Sequence, residues 1–293
     1  MRVIGVPFNS AGRSDGVARA PRALREAGLI DVLPDGLRDA GDVDVGVPDP
    51  GRYARSGLIS PGSLETTTAS VHSAVADSLR AGDRPLVLGG DCPVLLGALS
   101  GAAEAAGDVG LLFVDGHEDA WPPDRSTTGE AADCELGLLL GLHRENLPHP
   151  LVRLLPTLAS DAVVALGPRD ADELAAYRIP SVAGRIRMRT GADLAWQPGA
   201  AAAYAREGTE RLRRRAGNWW LHIDLDVLST DALPAVDYPQ PGGLTWPELE
   251  LLTTTALGAA GCVGITLCIY NPDLDADRHH ARRIVDFARL LTS

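Results

Sequence analysis

The chain has 293 residues, 45% of them hydrophobic, and its 39 acidic residues outnumber 27 basic ones to give a formal net charge of −12. This length accommodates one large α/β domain or two ordinary ones, and the composition is typical of a globular protein with a sizeable core. The negative charge argues against a nucleic-acid partner. The sequence shows neither a signal peptide nor an apolar run of membrane-spanning length, so we expect a cytoplasmic protein with no membrane partner.

Short apolar runs alternate with helical patterns along the whole chain. In chain order they predict a strand at Arg2–Val6, a helix at Ala20–Leu33, a weaker strand near Asp42–Val47, a helix at Gly62–Ala81, a strand at Pro85–Leu88, a helix at Pro93–Ala106, a strand at Gly110–Val114, a helix at Asp133–Leu142, a strand at Ala162–Leu166, helices at Asp170–Tyr177 and Gly199–Arg215, a strand at Trp219–Ile223, a helix at Trp246–Leu257, a strand at Cys262–Cys268 and a helix at Ala276–Leu291. Strands followed repeatedly by helices predict an α/β protein with three layers, a parallel sheet covered on both faces. We find no linker, so we expect residues 1–293 to form a single domain.

Acidic residues follow two of these strands at alternate positions. Asp115, His117 and Asp119 lie in FVDGHEDA, and Asp224 and Asp226 lie in LHIDLDVL. Residues two apart on an extended chain point to the same side, and ligands of open parallel sheets bind beyond the carboxyl ends of the strands. So much charge is costly to gather without a cation. The oxygen-rich donors therefore predict a hard or borderline metal, and the two clusters suggest a pair of ions that share carboxylates.

A third motif, PLVLGGDCPVLLGAL, ends a strand at Gly89 and Gly90 and presents Asp91 and Cys92 before a helix. The motif is a weak signal alone, because turns before helices are rich in Gly and Asp. The four cysteines have no CxxC spacing, which argues against a disulfide framework or a structural zinc site. The chain contains no lysine, so Schiff-base chemistry is excluded.

The order GGDC, DGHED and DLDVL resembles the arginase–agmatinase (ureohydrolase) family, whose motifs are GGDH, DAHxD and DxDxxDP. The resemblance runs from IGVPFNSAGRSDGVARAPRALREAGL through PGGLTW to NPDLD, nearly the whole chain. It implies an arginase-like catalytic domain with a mostly parallel sheet of about eight strands. It also implies a small-molecule substrate and a homo-oligomer, since the family often forms trimers or hexamers.

By the same resemblance, the cofactor is a pair of Mn²⁺ ions. The implied ligands are Asp115 and Asp224 bridging the ions, His117 and Asp226 on one ion, and Asp119 and Cys92 on the other. The resemblance implies that hydroxide held between the ions attacks a guanidine or amidine carbon. Asp119 would then pass a proton toward the leaving nitrogen, and Asp91 would brace the site from behind.

The chain departs from the family at the metal and proton-transfer positions. Cys92 replaces a histidine ligand, and thiolate is a softer donor than Mn²⁺ prefers. Two interpretations of Cys92 remain open, a ligand or near-ligand and a small buried residue that leaves water in its place. Ala132 replaces a histidine that transfers protons. Glu130, Asp133 or a water chain are the candidates for that role.

The substrate side also differs. Thr128 and Glu130 replace a Ser and an Asn that hold an α-carboxylate in arginases, and Glu130 would repel that carboxylate. Two interpretations of Glu130 stay open, a contact to a cationic end of the substrate and a solvated loop acid. Ile269 replaces a glutamate that grips the guanidinium, which favours a neutral reacting group.

The sequence therefore predicts a binuclear manganese hydrolase that cleaves a linear C–N bond of a guanidine or amidine other than plain L-arginine. Candidate substrates are an N-hydroxyguanidine such as N-hydroxyarginine, agmatine-like compounds and guanidino acids. The alternative is a non-catalytic regulator that binds metal or ligand, which the missing histidine and glutamate favour. Another metal-assisted amide hydrolysis is a third interpretation.

Overall fold

One sheet of eight strands lies at the centre of the computed structural model, which describes residues 1–33 and 37–292. The strands are β1 (Arg2–Val6), β2 (Arg38–Asp42), β3 (Pro85–Gly89), β4 (Val109–Val114), β5 (Val163–Leu166), β6 (Arg187–Arg189), β7 (Asn218–Asp224) and β8 (Cys262–Cys268). Their order across the sheet is β2-β1-β3-β8-β7-β4-β5-β6, and all neighbouring pairs are parallel. A parallel sheet needs cover on both faces, because its crossover connections lie there.

Helices provide that cover. They are α1 (Ala20–Glu26), α2 (Leu29–Val32), α3 (Pro61–Arg80), α4 (Val94–Ala106), α5 (Glu135–Leu139), α6 (His149–Leu154), α7 (Ala171–Tyr177), α8 (Gly191–Ala195), α9 (Ala200–Arg215), α10 (Trp246–Leu257) and α11 (His279–Ala288). The hydrophobic core has two parts, one on each face of the sheet, and residues of one strand alternate between them. Helices α1, α9, α10 and α11 contribute to one part, and α3, α4 and α5 to the other. The three-layer α/β architecture is confirmed.

Some predicted boundaries were wrong. The weak strand predicted near Asp42–Val47 lies instead at Arg38–Asp42. All five residues of this strand are exposed, and a strand without buried residues gives no apolar pattern in the sequence. The helix predicted at Ala20–Leu33 is interrupted at Gly28, whose φ of 92° is left-handed. Short elements β6, α6 and α8 were missed. The single domain of residues 1–293 stays a prediction, and residues 34–36 and 293 lie outside the described residues.

Four central strands converge at their carboxyl ends. β3, β8, β7 and β4 are consecutive in the sheet, so the segments that follow them meet above its centre. The segment after β3 is tightly packed, since a Cβ added to Gly90 would lie 2.1 Å from the carbonyl oxygen of Phe8. In the described ranges we find no helix with the length and apolar character to cross a membrane.

Candidate metal centre

The three acidic motifs lie together at this edge of the sheet, as the sequence predicts. Asp91 and Cys92 follow β3, and the DGHED segment follows β4. Asp224 is the last residue of β7, and Asp226 lies in the 3-10 turn that follows it. The carboxylates of these motifs are almost entirely buried; they are Asp91, Asp115, Asp119, Asp224 and Asp226. The sequence thus folds five acids and a thiol into one interior cluster.

His117 and Asp226 form one half of the cluster with Asp115. His117 Nδ1 lies 2.9 Å from Asp226 Oδ2 and 3.9 Å from Asp115 Oδ1. Backbone amides orient the acids: His117 N donates to Asp115 Oδ1, and Gly116 N donates to Asp226 Oδ1. Burial opposes protonation of His117, but the Asp226 and Asp115 carboxylates prevail and raise the pKa of His117 to about 9.

Cys92, Asp119 and Glu135 form the other half. One donor atom of each residue lies within 4.8 Å of the others, and all three side chains are buried. Burial raises the pKa of the Cys92 thiol, and the nearby Glu135 carboxylate raises it further. Sequence analysis missed Glu135, because one acid at the start of a helix is ordinary.

A second set of potential donors lies next to Asp115 and Asp224. His222 is fully buried, stacks on Phe113 at a centroid distance of 5.0 Å, and places Nε2 3.8 Å from Asp115 Oδ2. Cys268 Sγ lies 3.5 Å from Asp224 Oδ2. Four overlapping groups of potential ligands result, namely Asp115/His117/Asp226, Cys92/Asp119/Glu135, Asp115/Glu135/His222 and His222/Asp224/Cys268.

Asp91 supports the cluster from the side. Its carboxylate accepts bonds from the Ser10 amide and hydroxyl and from the Cys92 amide. Burial raises the pKa of Asp91 to about 6, although the bonds from Ser10 lower it. In the described part of the chain, Asp91 is not among the residues that line the cavity beside the cluster. This position is consistent with the expected bracing role.

A cavity of about 300 Å³ opens onto both halves of the cluster. It is strongly acidic, and its lining residues include no arginine in the described part of the chain: Cys92, His117, Asp119, Trp121, Thr127, Thr128, Ala132, Asp133, Asp170, Glu173, Asp224, Asp226, Asp237, Tyr238, Pro239, Gln240 and Ile269. Burial raises the pKa of Asp170 to about 6. The unfavourable burial of so many acids favours cations in this cavity.

Of the predicted substrate contacts, Thr128 and Ile269 line this cavity and Glu130 lines an adjoining one. Tyr238 lines both cavities, and its hydroxyl donates to Glu130 Oε1 at 2.8 Å. Burial, with help from Asp91, raises the pKa of Glu130 to about 7. Arg13 lines the adjoining cavity and pairs with Asp15 at 3.3 Å.

Asp133 occupies the cavity wall beside Thr128. The hydroxyls of Ser126 and Thr128 both donate to Asp133 Oδ2, the latter at 2.8 Å. Burial raises the pKa of Asp133. A buried carboxyl that is fixed by two hydroxyls and faces the cavity is suited to carry a proton.

Ile269 has a strained backbone. Its φ is 71°, a left-handed value that β-branched residues rarely adopt, and its amide donates to the Gly90 carbonyl at 2.8 Å. Strain of this kind persists only where the surroundings enforce it, and it is frequent at functional sites. The apolar side chain is therefore held at the cavity wall, where it presents no charge.

The donor set is suitable for divalent cations. Asp115 Oδ2 and both carboxylate oxygens of Glu135 are buried and have no hydrogen-bond partner among the described residues. A cation would satisfy these oxygens and offset the repulsion of the acids. The His117 half has only nitrogen and oxygen donors, which suit Mn²⁺, whereas the other half adds the sulfur of Cys92.

Comparisons with known proteins agree with this geometry. The profile described as the arginase family matches residues 1–292. Arginase-1 of Sus scrofa is 27% identical over 98% of this chain and 89% of its own length. The solved arginase from Bacillus caldovelox has a TM-score of 0.85 at 25% identity and covers 100% of this chain and 97% of its own. Formimidoylglutamase from Bacillus subtilis shares the fold, with a TM-score of 0.74 at 19% identity over 99% of this chain and 84% of its own.

Proposed function

This chain belongs to the arginase family, and we propose that it uses two divalent cations to hydrolyse a carboxylate-free guanidine or amidine. Hydrolysis of a C–N bond in a linear amidine is the chemistry of this family. The substrate assignment rests on the acidic lining of the cavity, which contains no arginine among the described residues. An α-carboxylate placed there would be repelled by Asp133, Asp237 and their neighbours.

The residues that would hold the two cations are Asp115, Asp224, His117, Asp226, Asp119 and Cys92. A bound pair of cations supplies Lewis acidity and activates water at neutral pH. The resemblance implies Mn²⁺ for both positions. Asp115 Oδ2, which has no hydrogen-bond partner among the described residues, supports the presence of a cation beside it.

We assign the two proton transfers of the reaction to Asp119, as the acceptor, and to Asp133, as the donor. Asp119, which is also one of the proposed cation ligands, lines the cavity, where it would hydrogen-bond the attacking water and accept its proton. Asp133 lies on the same cavity with its carboxyl fixed by Ser126 and Thr128, and it delivers a proton to the leaving nitrogen. Asp133 thereby takes the role that Ala132 cannot perform.

The two ends of the substrate meet different surroundings. At the reacting end, Ile269 offers no carboxylate to a guanidinium, which favours a neutral group such as an N-hydroxyguanidine. At the remote end, Tyr238 and Asp237 connect the cavity to Glu130, which favours an amine. Among the predicted substrates, an agmatine-like compound fits the remote end and an N-hydroxyguanidine fits the reacting end, whereas the carboxylates of N-hydroxyarginine and of guanidino acids are disfavoured.

The test is a substrate screen with Mn²⁺-loaded protein that measures release of urea or hydroxyurea. We expect kcat/KM for agmatine-like substrates to exceed that for L-arginine at least tenfold, since repulsion of a desolvated carboxylate costs several kcal/mol. A preference for L-arginine would contradict the substrate assignment. Full metal loading without hydrolysis of any guanidine or amidine would favour the non-catalytic regulator. A homo-oligomer and a cytoplasmic location remain proposals that the family resemblance and the sequence support.

A further inference from the structure

Glu135 is a buried acid that lies beside the Cys92 thiol and the Asp119 carboxyl. Its side chain is fully buried, and neither carboxylate oxygen has a hydrogen-bond partner among the described residues. Its polar neighbours are the Cys92 thiol, the carboxyl groups of Asp119 and Asp115, and the imidazole of His222. Glu118 shows how this protein ordinarily satisfies a buried glutamate, because Ser181 Oγ and Val182 N each donate to one of its oxygens at 2.7 Å.

The position of Glu135 is fixed relative to Asp119. Gly137 N donates to the Asp119 carbonyl at 3.0 Å, and Trp121 N donates to the Asp133 carbonyl at 2.9 Å, so two backbone bonds hold the segments together. A Cβ added to Gly137 would lie 3.0 Å from Ala120 Cα, which shows how closely they pack. The packing of the two backbone segments therefore holds Glu135 next to Asp119.

We propose that Glu135 is a metal ligand and that Cys92, Asp119 and Glu135 form a site for a thiophilic borderline cation of the Zn²⁺ or Co²⁺ class. Donor atoms of these residues lie within 4.8 Å of one another, a separation that one ion can span. Zn²⁺ accepts thiolate and carboxylate ligands, while Mn²⁺ prefers harder donors. The His117 half contains no sulfur and keeps its suitability for Mn²⁺. The two positions therefore differ in the metal that they select.

This inference rests on the proposed two-cation hydrolase, and its test uses metal binding rather than turnover. Chelator-treated, reduced full-length protein is titrated with Zn²⁺, Co²⁺ and Mn²⁺ separately, with affinity measured by competition and content by elemental analysis. We expect tighter binding of Zn²⁺ than of Mn²⁺ at one position, and a thiolate-to-Co²⁺ charge-transfer absorption that Cys92→Ser removes. Glu135→Gln should weaken Zn²⁺ binding at that position at least 100-fold and diminish the absorption, while the other position stays occupied.

Glu118→Gln is the matched control, because it removes the same charge from a buried glutamate that already has protein donors. It should retain both ions. Glu135→Asp keeps the carboxylate and should restore part of the affinity, which separates loss of a ligand from misfolding. Unchanged Zn²⁺ affinity and an unchanged cobalt spectrum in Glu135→Gln would overturn the proposal. Two bound ions without hydrolysis of any amidine would instead contradict the proposed function and leave Glu135 as a ligand.

Discussion

The Tyr238 hydroxyl donates a hydrogen bond to Glu130 Oε1 at 2.8 Å, at the boundary between the acidic cavity and its neighbour. Burial raises the pKa of Glu130 to about 7, and the bond from Tyr238 counteracts part of that rise. The other charged groups that act on Glu130 are Asp91, Asp133 and Asp237, all of which raise its pKa. Glu130 therefore changes charge near neutral pH.

We expect kcat/KM for an amine-bearing substrate to rise as the pH increases through about 7, because ionised Glu130 attracts the amine. Glu130→Gln should remove this step and lower kcat/KM about tenfold at pH 8. Tyr238→Phe should move the step to higher pH, since the favourable hydrogen bond to the carboxylate is lost. The measurement is a pH profile of each variant. A step that persists in Glu130→Gln would assign the titration to another group.

The same shift predicts a stability effect of known sign. A carboxyl whose folded pKa lies above its unfolded value loses stability as the pH rises from about 4.5 to about 7, and the loss is constant above that range. Glu130→Gln should therefore be more stable than the wild type at pH 8 and similar to it at pH 4. Thermal unfolding at both pH values checks this, and Tyr238→Phe, which keeps the carboxyl, serves as the control.

The sequence predicts that the three acidic motifs lie together, but it does not predict how Glu135 and Glu130 pack around them. Asp115, His117 and Asp119 alternate directly after a buried strand, and this spacing predicts that they cluster. In the structure the chain bends at Gly116 and His117, and Asp119 has a left-handed φ of 44°. Glu135 has no comparable pattern, because its role depends on how α5 packs against the Asp119 segment. Likewise, the separation of Glu130 from the cavity follows from the position of Tyr238, 108 residues away in sequence.

Asp115→Asn should have opposite effects on the metal-free and metal-loaded protein. Burial and the nearby Asp226 carboxylate raise the pKa of Asp115, so its charge is unfavourable without a cation. The neutral amide should raise the melting temperature of chelator-treated protein. It should also abolish the stabilisation that Mn²⁺ gives the wild type, about 2.7 kcal/mol at 100 times Kd. Differential scanning calorimetry with and without Mn²⁺ measures both; equal stabilisation by Mn²⁺ in both proteins would contradict a ligand role for Asp115.

Ile269→Glu should change which form of the substrate is preferred. The new carboxylate would face the cavity and bind a guanidinium, so KM for cationic guanidines should fall about tenfold relative to the wild type. Its neutral counterpart Ile269→Gln relieves the same β-branching at φ 71° without adding charge. Steady-state kinetics on agmatine-like and N-hydroxyguanidine substrates compare the two. An equal gain in both variants would attribute the effect to backbone relief instead of charge.

Asp133→Asn tests proton delivery to the leaving nitrogen. The amide keeps the bond from Thr128 or Ser126 but cannot supply a proton, so kcat should fall by a factor of 10² to 10⁴ while KM changes little. Thr128→Val removes only one hydroxyl that fixes the carboxyl and should cause a smaller loss. Substrates with better leaving groups should be affected less by Asp133→Asn. A uniform loss across leaving groups would assign Asp133 to binding.

Gly90→Ala should destabilise the protein and the Cys92 half of the metal centre together. The added Cβ would lie 2.1 Å from the Phe8 carbonyl oxygen and 2.9 Å from that of Val17, so the backbone must move, at a cost of about 3 kcal/mol or more. Gly62→Ala is the matched control, since its Cβ would contact nothing within 4 Å and it lies in α3. That change should stabilise the protein by up to about 1 kcal/mol.

The consequence for the metal centre follows from the bonds on either side of Gly90. Its carbonyl accepts from the Ile269 amide, and the next two residues are Asp91 and Cys92. A displaced backbone at Gly90 would move both Cys92, a potential ligand, and Ile269, which lines the cavity. Zn²⁺ affinity should therefore decrease along with stability. Chemical denaturation and metal competition on both variants measure the two effects. A destabilised Gly90→Ala protein with wild-type Zn²⁺ affinity would show that the turn supports the fold without positioning Cys92.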